Sequence, residues 1–217
     1  MAAVLARMPP CLGGAPTRAP TTTELQSLDP GHVAAALEAA GITLPCLLKP
    51  RVACGTPTAH NFALLASADD AAAARVDVPA VAQAFVCHDG TVHKVYSFGD
   101  QVLTQQRRSL PAVDGPSCPA GVVSFDALHA LPTSWCSGAV SDIAAAAPPL
   151  SLAAVHAMAS WLRCETGLSL FGFDVLVETG TGAHVVVDLN YFPSATGVDG
   201  APAALARAVH AALGRPS

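Results

Sequence analysis

Lysine is the scarcest charge in this chain. Of eleven basic residues only Lys49 and Lys94 are lysine, and the other nine are arginine. Against sixteen acids the net charge is −5, which argues against nucleic acid as the main partner and leaves any polyanion site to a local basic cluster. Charged residues make up only 12 % and apolar residues 52 %, a folded globular balance and not a disordered one. No run of about 18 uncharged apolar residues occurs, so no membrane span is expected. Seven cysteines, an odd and scattered set without a CxxC pair, argue against a disulfide framework or a zinc ribbon. They fit free thiols in a reducing, cytoplasmic-type compartment.

What is present is punctuated clearly. Residues 1–23 hold Arg7, Arg18, four prolines and no acid, which reads either as an organelle-targeting leader poor in serine or as an irregular start. Leu25, Leu28, Val33, Ala36, Leu37 and Ala40 give residues 24–40 a helical period, with Asp29-Pro30 as a start signal and Gly41 as the stop. Residues 42–48 form a short apolar strand that delivers Lys49 at its end. Residues 51–60 are a loop of small residues carrying Arg51 and His60, of a type that can wrap phosphates with backbone N–H groups, although such loops are common. Strands follow at 80–86 and Thr91–Phe98, joined by Cys87-His88-Asp89-Gly90, which has Asp-Gly turn chemistry. Lys94 shares a strand face with Val92, Tyr96 and Phe98, so it needs an anionic partner, either a carboxylate or a ligand phosphate. A strand at 102–106 runs into Arg107-Arg108-Ser109, and alternation lets only one of the two arginines face a given site. Residues 112–150 are rich in Pro, Gly, Ser and Ala and read as one long mobile stretch. Helices are expected at 151–165, capped by Ser151 and ended by Gly167, and at 201–213.

The most informative stretch is a hairpin, Leu170–Val177 and His184–Asn190 about a Glu178-Thr179-Gly180-Thr181-Gly182 turn. Phe171, Phe173, Val175 and Val177 alternate onto one face and Asp174 onto the other. On the second strand Val185, Val187 and Leu189 share a face opposite Asp188 and Asn190. With Gly180-Thr181-Gly182 as the loop, Asp174 lies across from Asp188. Facing carboxylates repel unless a cation lies between them, or they are simply solvated. Two acids and an amide suit a hard cation such as Mg²⁺.

The order of these parts, strand lysine, small-residue loop, strands with a second lysine, basic strand, helix and Asp…Asp-x-Asn hairpin, resembles an ATP-grasp nucleotide site. In wording, Gly41-Ile-Thr-Leu-Pro-Cys-Leu-Leu-Lys-Pro50, Gly55-Thr56 to His60, Lys94-Val-Tyr with Gly99-Asp100, Arg107-Arg-Ser-Leu-Pro111 and Val187-Asp-Leu-Asn-Tyr-Phe-Pro193 are similar to the inositol tris/tetrakisphosphate kinases of plant and algal type, over roughly residues 20–213. The resemblance implies an α+β fold with antiparallel sheets flanked by helices and nucleotide between two lobes. Divided on that basis, the chain has an irregular segment 1–23, a central lobe 24–110 and a C-terminal lobe 111–217. It implies a kinase of inositol polyphosphates using ATP and Mg²⁺, with two ions, as a monomer. Lys49, Gln83, Ala84, Phe85, Val86, His88, Lys94 and Ser109 would contact the nucleotide. His60, Lys94, Asn190 and Gly197 would contact the substrate. Asp174, Asp188 and Asn190 would hold the metal, and Lys94 and Arg107 would stabilise the transferred phosphoryl group.

Two departures from the family pattern stand beside this. Family members carry a further N-terminal domain that supplies lysines to the inositol phosphate site, and this sequence begins after it. Where the family reads Phe-Pro-Gly-Tyr, this chain has Phe192-Pro193-Ser194-Ala195, which limits close backbone approach to a phosphate. Alternative readings are therefore a catalytically weak nucleotide-binding module without its substrate domain, or an ATP-grasp ligase that forms an acyl phosphate.

Overall fold

A computed structural model of the chain describes residues 2–52, 55–113, 121–135 and 147–214. The chain forms two compact units that interleave along the sequence: Met1–Ala19, Thr91–Arg108 and Ala145–Ser217 in one, Pro20–Gly90 and Ser109–Ala144 in the other. The consecutive division at 23 and 110 differs from this for a simple reason. Strands β7 (Thr91–Phe98) and β8 (Gln101–Arg108) leave the second unit as a hairpin, pair with the first, and return at Ser109. Residues 87–90 consequently join two sheets instead of closing a hairpin.

In the first unit, a six-stranded sheet has the order β1 (Cys11–Leu12), β2 (Ala15–Arg18), β11 (His184–Asn190), β10 (Leu170–Val177), β7, β8. Its pairs are antiparallel except β11 with β2, which run parallel. Helix α3 (Leu152–Thr166) covers one face, burying Val155, Met158 and Leu162 against Val95, Phe171, Phe173 and Val175. Full burial of such side chains is worth about 1.5–3 kcal/mol each. Ser151 caps the helix by accepting from Ala154 N, as its sequence signal implies. On the other face α4 (Ala201–Ala212) packs near Tyr96 and Phe98, and so covers one end only.

Residues 1–23 are not irregular. The short helix α1 (Ala2–Leu5) puts Leu5 into the α3 core, and β2 extends the sheet with Thr17 buried and Arg18 paired to Glu178. Prolines and threonines hid strands that are only two to four residues long.

In the second unit, five antiparallel strands run β3 (Thr22–Leu25), β6 (Ala80–Ala84), β4 (Cys46–Pro50), β5 (Asn61–Leu65), β9 (Val122–Asp126). Helix α2 (Pro30–Ala40) buries Val33 and Leu37 against Leu25, Cys46, Leu48 and Leu65. The helix expected from residue 24 starts instead at Pro30, with Asp29 Oδ1 accepting from His32 N at 3.1 Å. A residue before proline avoids the helical region, and Asp29 sits at ψ 130°, so the start signal overrides the apolar spacing of Leu25 and Leu28. Strand β9 lies in the stretch read as a mobile loop; residues 114–120 and 136–146 of that stretch lie outside the described residues. No helix among the described residues is long and apolar enough to cross a membrane.

His184 joins the sheet of the first unit to α3. Its Nε2 accepts from Ser151 N at 2.9 Å while Nδ1 donates to Gly182 O at 3.2 Å, so the ring is a neutral tautomer. Burial lowers its pKa below the ordinary 6.5, partly offset by the Gly182 carbonyl. Below 6.5 the unfolded chain therefore binds more protons than the folded one, and stability is complete above that pH and falls as pH drops through it. We expect the urea midpoint to decline between pH 7 and pH 5, and His184→Gln, which keeps an acceptor for Ser151 N, to flatten the decline. A profile unchanged in the variant would remove His184 as a source.

Candidate functional site

The uncovered end of the first unit's sheet carries a row of polar side chains. Register pairs Gln105 of β8 with Lys94 of β7, Lys94 with Asp174 of β10, and Asp174 with Asp188 of β11. Four consecutive strands thus present Gln105, Lys94, Asp174 and Asp188 side by side on the face shared with Tyr96 and Phe98. Lys94 Nζ donates to Asp174 Oδ2 at 2.7 Å, which answers the need for an anionic partner. Asn190 Nδ2 donates to Asp188 Oδ2 at 2.7 Å, so the amide and the second acid form one group.

The register at the two acids agrees with the sequence reading, but its cause differs. Val177 pairs with His184 and Val175 with Val186, one residue out of step with Asp174 and Asp188; a β-bulge at Val187 restores the step. The turn is one residue longer than Gly180-Thr181-Gly182, since Glu178 N bonds Ala183 O. The bulge also changes the faces. Val186, not Val187, joins Leu189 in the α3 core, and Val187 is half-buried. Bulges commonly re-aim side chains beside functional sites, and here one brings Asp188 opposite Asp174.

Gly172 occupies the next position along β10, between Tyr96 and Asn190. A Cβ there would lie 2.8 Å from Pro193 Cβ and Cγ and 3.2 Å from Val95 O. The chain after Asn190 therefore folds down over a hydrogen, and this seating fixes where Asn190 leaves the strand. We expect Gly172→Ala to cost about 1–3 kcal/mol by overpacking and to weaken the Mg²⁺-dependent turnover that the family resemblance implies more than its stability loss explains. Denaturant midpoint and turnover, measured on the same preparation, test this; wild-type values for both would show that Pro193 moves without consequence.

Beyond Pro193, Gly197 is left-handed at φ 75°, with Ala195 and Val198 packed toward α4. Ser194 Oγ, at the position where the family pattern has a glycine, lies 3.1 Å from Thr196 Oγ1. Gln105 links this turn to the sheet: its Nε2 donates to Gly197 O at 3.2 Å and its Oε1 accepts from Arg107 Nε at 2.8 Å. No sequence signal marked Gln105, because a lone glutamine on a strand carries no motif.

The second unit holds the remaining candidates in three places. Lys49 Nζ donates to Gln83 Oε1 at 2.8 Å and lies 5.5 Å from the Phe62 ring centroid, a cation–π distance. Residues 85–88 are tied back at one point. His88, buried, bonds Val86 O through Nδ1 at 2.7 Å and Ser109 Oγ through Nε2 at 2.8 Å, while Phe85 packs against its ring. Burial lowers the His88 pKa, opposed by the Val86 carbonyl and by Asp89, so the ring is neutral and couples two expected nucleotide contacts. Ala84 faces the α2 core and its N–H bonds Thr21 O; Val86 is buried and its carbonyl serves His88. His60 precedes β5 and is half-buried; Ala53 and Cys54 of its loop lie outside the described residues.

The donor set suits the metal chemistry expected of it. Asp174, Asp188 and Asn190 offer only oxygen ligands, from adjacent ladder positions and one shared hydrogen bond, which is what Mg²⁺ selects.

The family described as the inositol 1,3,4-trisphosphate 5/6-kinase ATP-grasp domain matches residues 17–207. Among similar curated proteins, inositol-tetrakisphosphate 1-kinase 6 of Oryza sativa subsp. indica is 31 % identical over 179 residues, covering 82 % of this chain and 33 % of that one. Inositol-tetrakisphosphate 1-kinase 3 of Arabidopsis thaliana is 34 % identical over 168 residues, covering 76 % and 46 %. The chain thus spans about a third to a half of the curated relatives it matches. Among solved structures, N5-carboxyaminoimidazole synthase from Aspergillus clavatus, in complex with ADP and 5-aminoimidazole ribonucleotide, superposes with a TM-score of 0.53 at 15 % identity, over 93 % of this chain and 48 % of that one. That likeness is one of fold alone.

Proposed function

Since the chain belongs to the inositol 1,3,4-trisphosphate 5/6-kinase ATP-grasp domain family, we propose that it transfers the terminal phosphoryl group of ATP to a hydroxyl of an inositol polyphosphate. The observation that carries this reading is the row Lys94, Asp174, Asp188 with Asn190 bonded to its end. It supplies the two things phosphoryl transfer asks of a protein, a cation and a metal-binding acid pair side by side on rigid strands.

Asp174, Asp188 and Asn190 are the residues that would hold Mg²⁺, and we take the count as two ions. Held there, Mg²⁺ would supply positive charge to offset that of the nucleotide phosphates. An ammonium has three donors, so Lys94 can bond phosphate oxygens as well as Asp174. Lys49, aligned by Gln83 and Phe62, binds nucleotide phosphates. Gln83, Ala84, Phe85, Val86, His88 and Ser109 bound the nucleotide, with the buried, neutral His88 keeping residues 85–88 and Ser109 in one arrangement. Arg107 offsets charge on the transferred group. His60, Lys94, Asn190 and Gly197 face the inositol phosphate. The acceptor oxygen forms its bond to phosphorus as the bond to the ADP oxygen breaks, and its proton leaves to solvent. No side chain is assigned as an obligatory base, which the dissociative character of such transfers permits. ATP and an inositol polyphosphate are then the partners of a monomer.

The test is ATP turnover by the purified chain with Mg²⁺, with and without inositol tris- to hexakisphosphates, reading phosphorylated product. Transfer to an inositol phosphate is the expected result. ATP binding without transfer would sink the kinase proposal and keep a nucleotide-binding module; no ATP binding would sink both.

A further inference from the structure

Gln105 has no place in the roles above, and its bonds are more specific than its position requires. It lies on β8, the edge strand of its sheet, directly beside Lys94. A half-buried strand position is served by any β-branched or aromatic residue, so the fold does not call for an amide there. The amide is nevertheless used at both ends, Oε1 by Arg107 Nε at 2.8 Å and Nε2 by Gly197 O at 3.2 Å. Only one orientation of the amide satisfies both partners, so each bond fixes the other.

We propose that Gln105 is a positioning residue that holds Arg107 and the Gly197 turn in one arrangement and thereby sets affinity for the phosphorylated acceptor. The inference rests on the kinase reading. An arginine can meet a phosphate with Nε and one terminal nitrogen, or with both terminal nitrogens. Engagement of Nε by Gln105 removes the first option and leaves the Nη1–Nη2 fork. It also restrains a long, exposed side chain that would otherwise have to be ordered when the anion arrives. At its other end the same amide anchors the carbonyl of a left-handed glycine, at φ 75°, in the turn that follows Asn190 by seven residues. Arginine fork and glycine turn are thus registered against each other through a side chain adjacent to Lys94.

The experiment compares the wild-type chain with Gln105→Met, which keeps length and loses both bonds, and Gln105→Glu, which keeps an acceptor for Arg107 and loses the donor to Gly197. With Mg²⁺ and ATP, inositol tetrakisphosphate is varied. Gln105→Met is expected to raise KM for the inositol phosphate about tenfold, the factor carried by a lost bond to a charged partner. KM for ATP should stay within about twofold, kcat should fall with the loosened Arg107, and Gln105→Glu should fall between the two proteins. An unchanged KM for the inositol phosphate in Gln105→Met overturns the proposal, as does a joint rise in both KM values with a lowered melting temperature, which is what a merely structural role would give. A wild-type chain that transfers nothing removes the kinase reading separately. Gln105 is then decided by calorimetric titration with inositol hexakisphosphate, where about tenfold weaker binding in Gln105→Met supports the role and equal binding, or none to either protein, overturns it.

Discussion

Under the kinase proposal Lys94→Met should lower phosphoryl transfer by about 10²–10³-fold, the cost of removing one pre-positioned donor from a developing anionic charge. Two consequences separate this from ordinary destabilisation. Lys94 is the cation in direct register with Asp174, and the pair is partly buried, at 32 % and 18 % side-chain exposure. Removing the ammonium takes away the ion pair to Asp174, which at this exposure costs about 1–2 kcal/mol of stability. That loss shows in a denaturant midpoint and leaves the variant folded near neutral pH. The rate loss is therefore measured on folded protein. Lys94→Arg is the informative companion: a guanidinium still pairs with Asp174 and restores stability, but its planar fork does not reproduce a compact point charge between carboxylate and phosphate, so the rate stays low. Activity of Lys94→Met within tenfold of wild type would remove Lys94 from the transfer step.

The parts of this site that the sequence made legible are those in which a short-range pattern and a chemical requirement coincide. Alternation placed Asp174 opposite the Phe171 and Phe173 face, and Ser151 with Gly167 bracketed α3 closely. Lys94 required an anion, and Asp174 is that anion. What stayed hidden needed information that no local window contains. The bulge at Val187 is a property of two strands in register, so the facing of Asp174 and Asp188 was expected for the wrong turn length. The pairing of β2 with β11 joins residues some 170 positions apart in sequence, through strands too short to show a period. The helix forecast from residue 24 failed because the spacing of Leu25 and Leu28 fits a strand end as well as a helix turn. Gln105 and His184 act through bonds to backbone or to a nearby side chain, and nothing in their neighbours marks them. The family resemblance supplied roles for eleven positions beyond the hairpin acids and Asn190, and none for Gln105.

Asp188→Asn should abolish metal-dependent turnover while leaving the fold as stable as before, or slightly more so. Asp188 is exposed, and its carboxylate faces that of Asp174 across the ladder; like charges so placed disfavour the folded state. Neutralising one relieves that repulsion, and the new side-chain carbonyl still accepts from Asn190 Nδ2. The denaturant midpoint therefore does not fall. Function goes the other way under the kinase proposal, because Asp188 would be one of the two carboxylates that hold Mg²⁺. Charge stabilisation by such a cation is worth several kcal/mol, which at 1.36 kcal/mol per decade is about 10³-fold or more in kcat/KM. Raising Mg²⁺ well above the wild-type requirement should recover part of the rate, since an amide oxygen remains a weak ligand. Loss of activity with retained or improved stability is the signature of a functional carboxylate. Wild-type turnover and an unchanged Mg²⁺ requirement in Asp188→Asn would instead leave Asp174 and Asp188 as two solvated acids on an open sheet face.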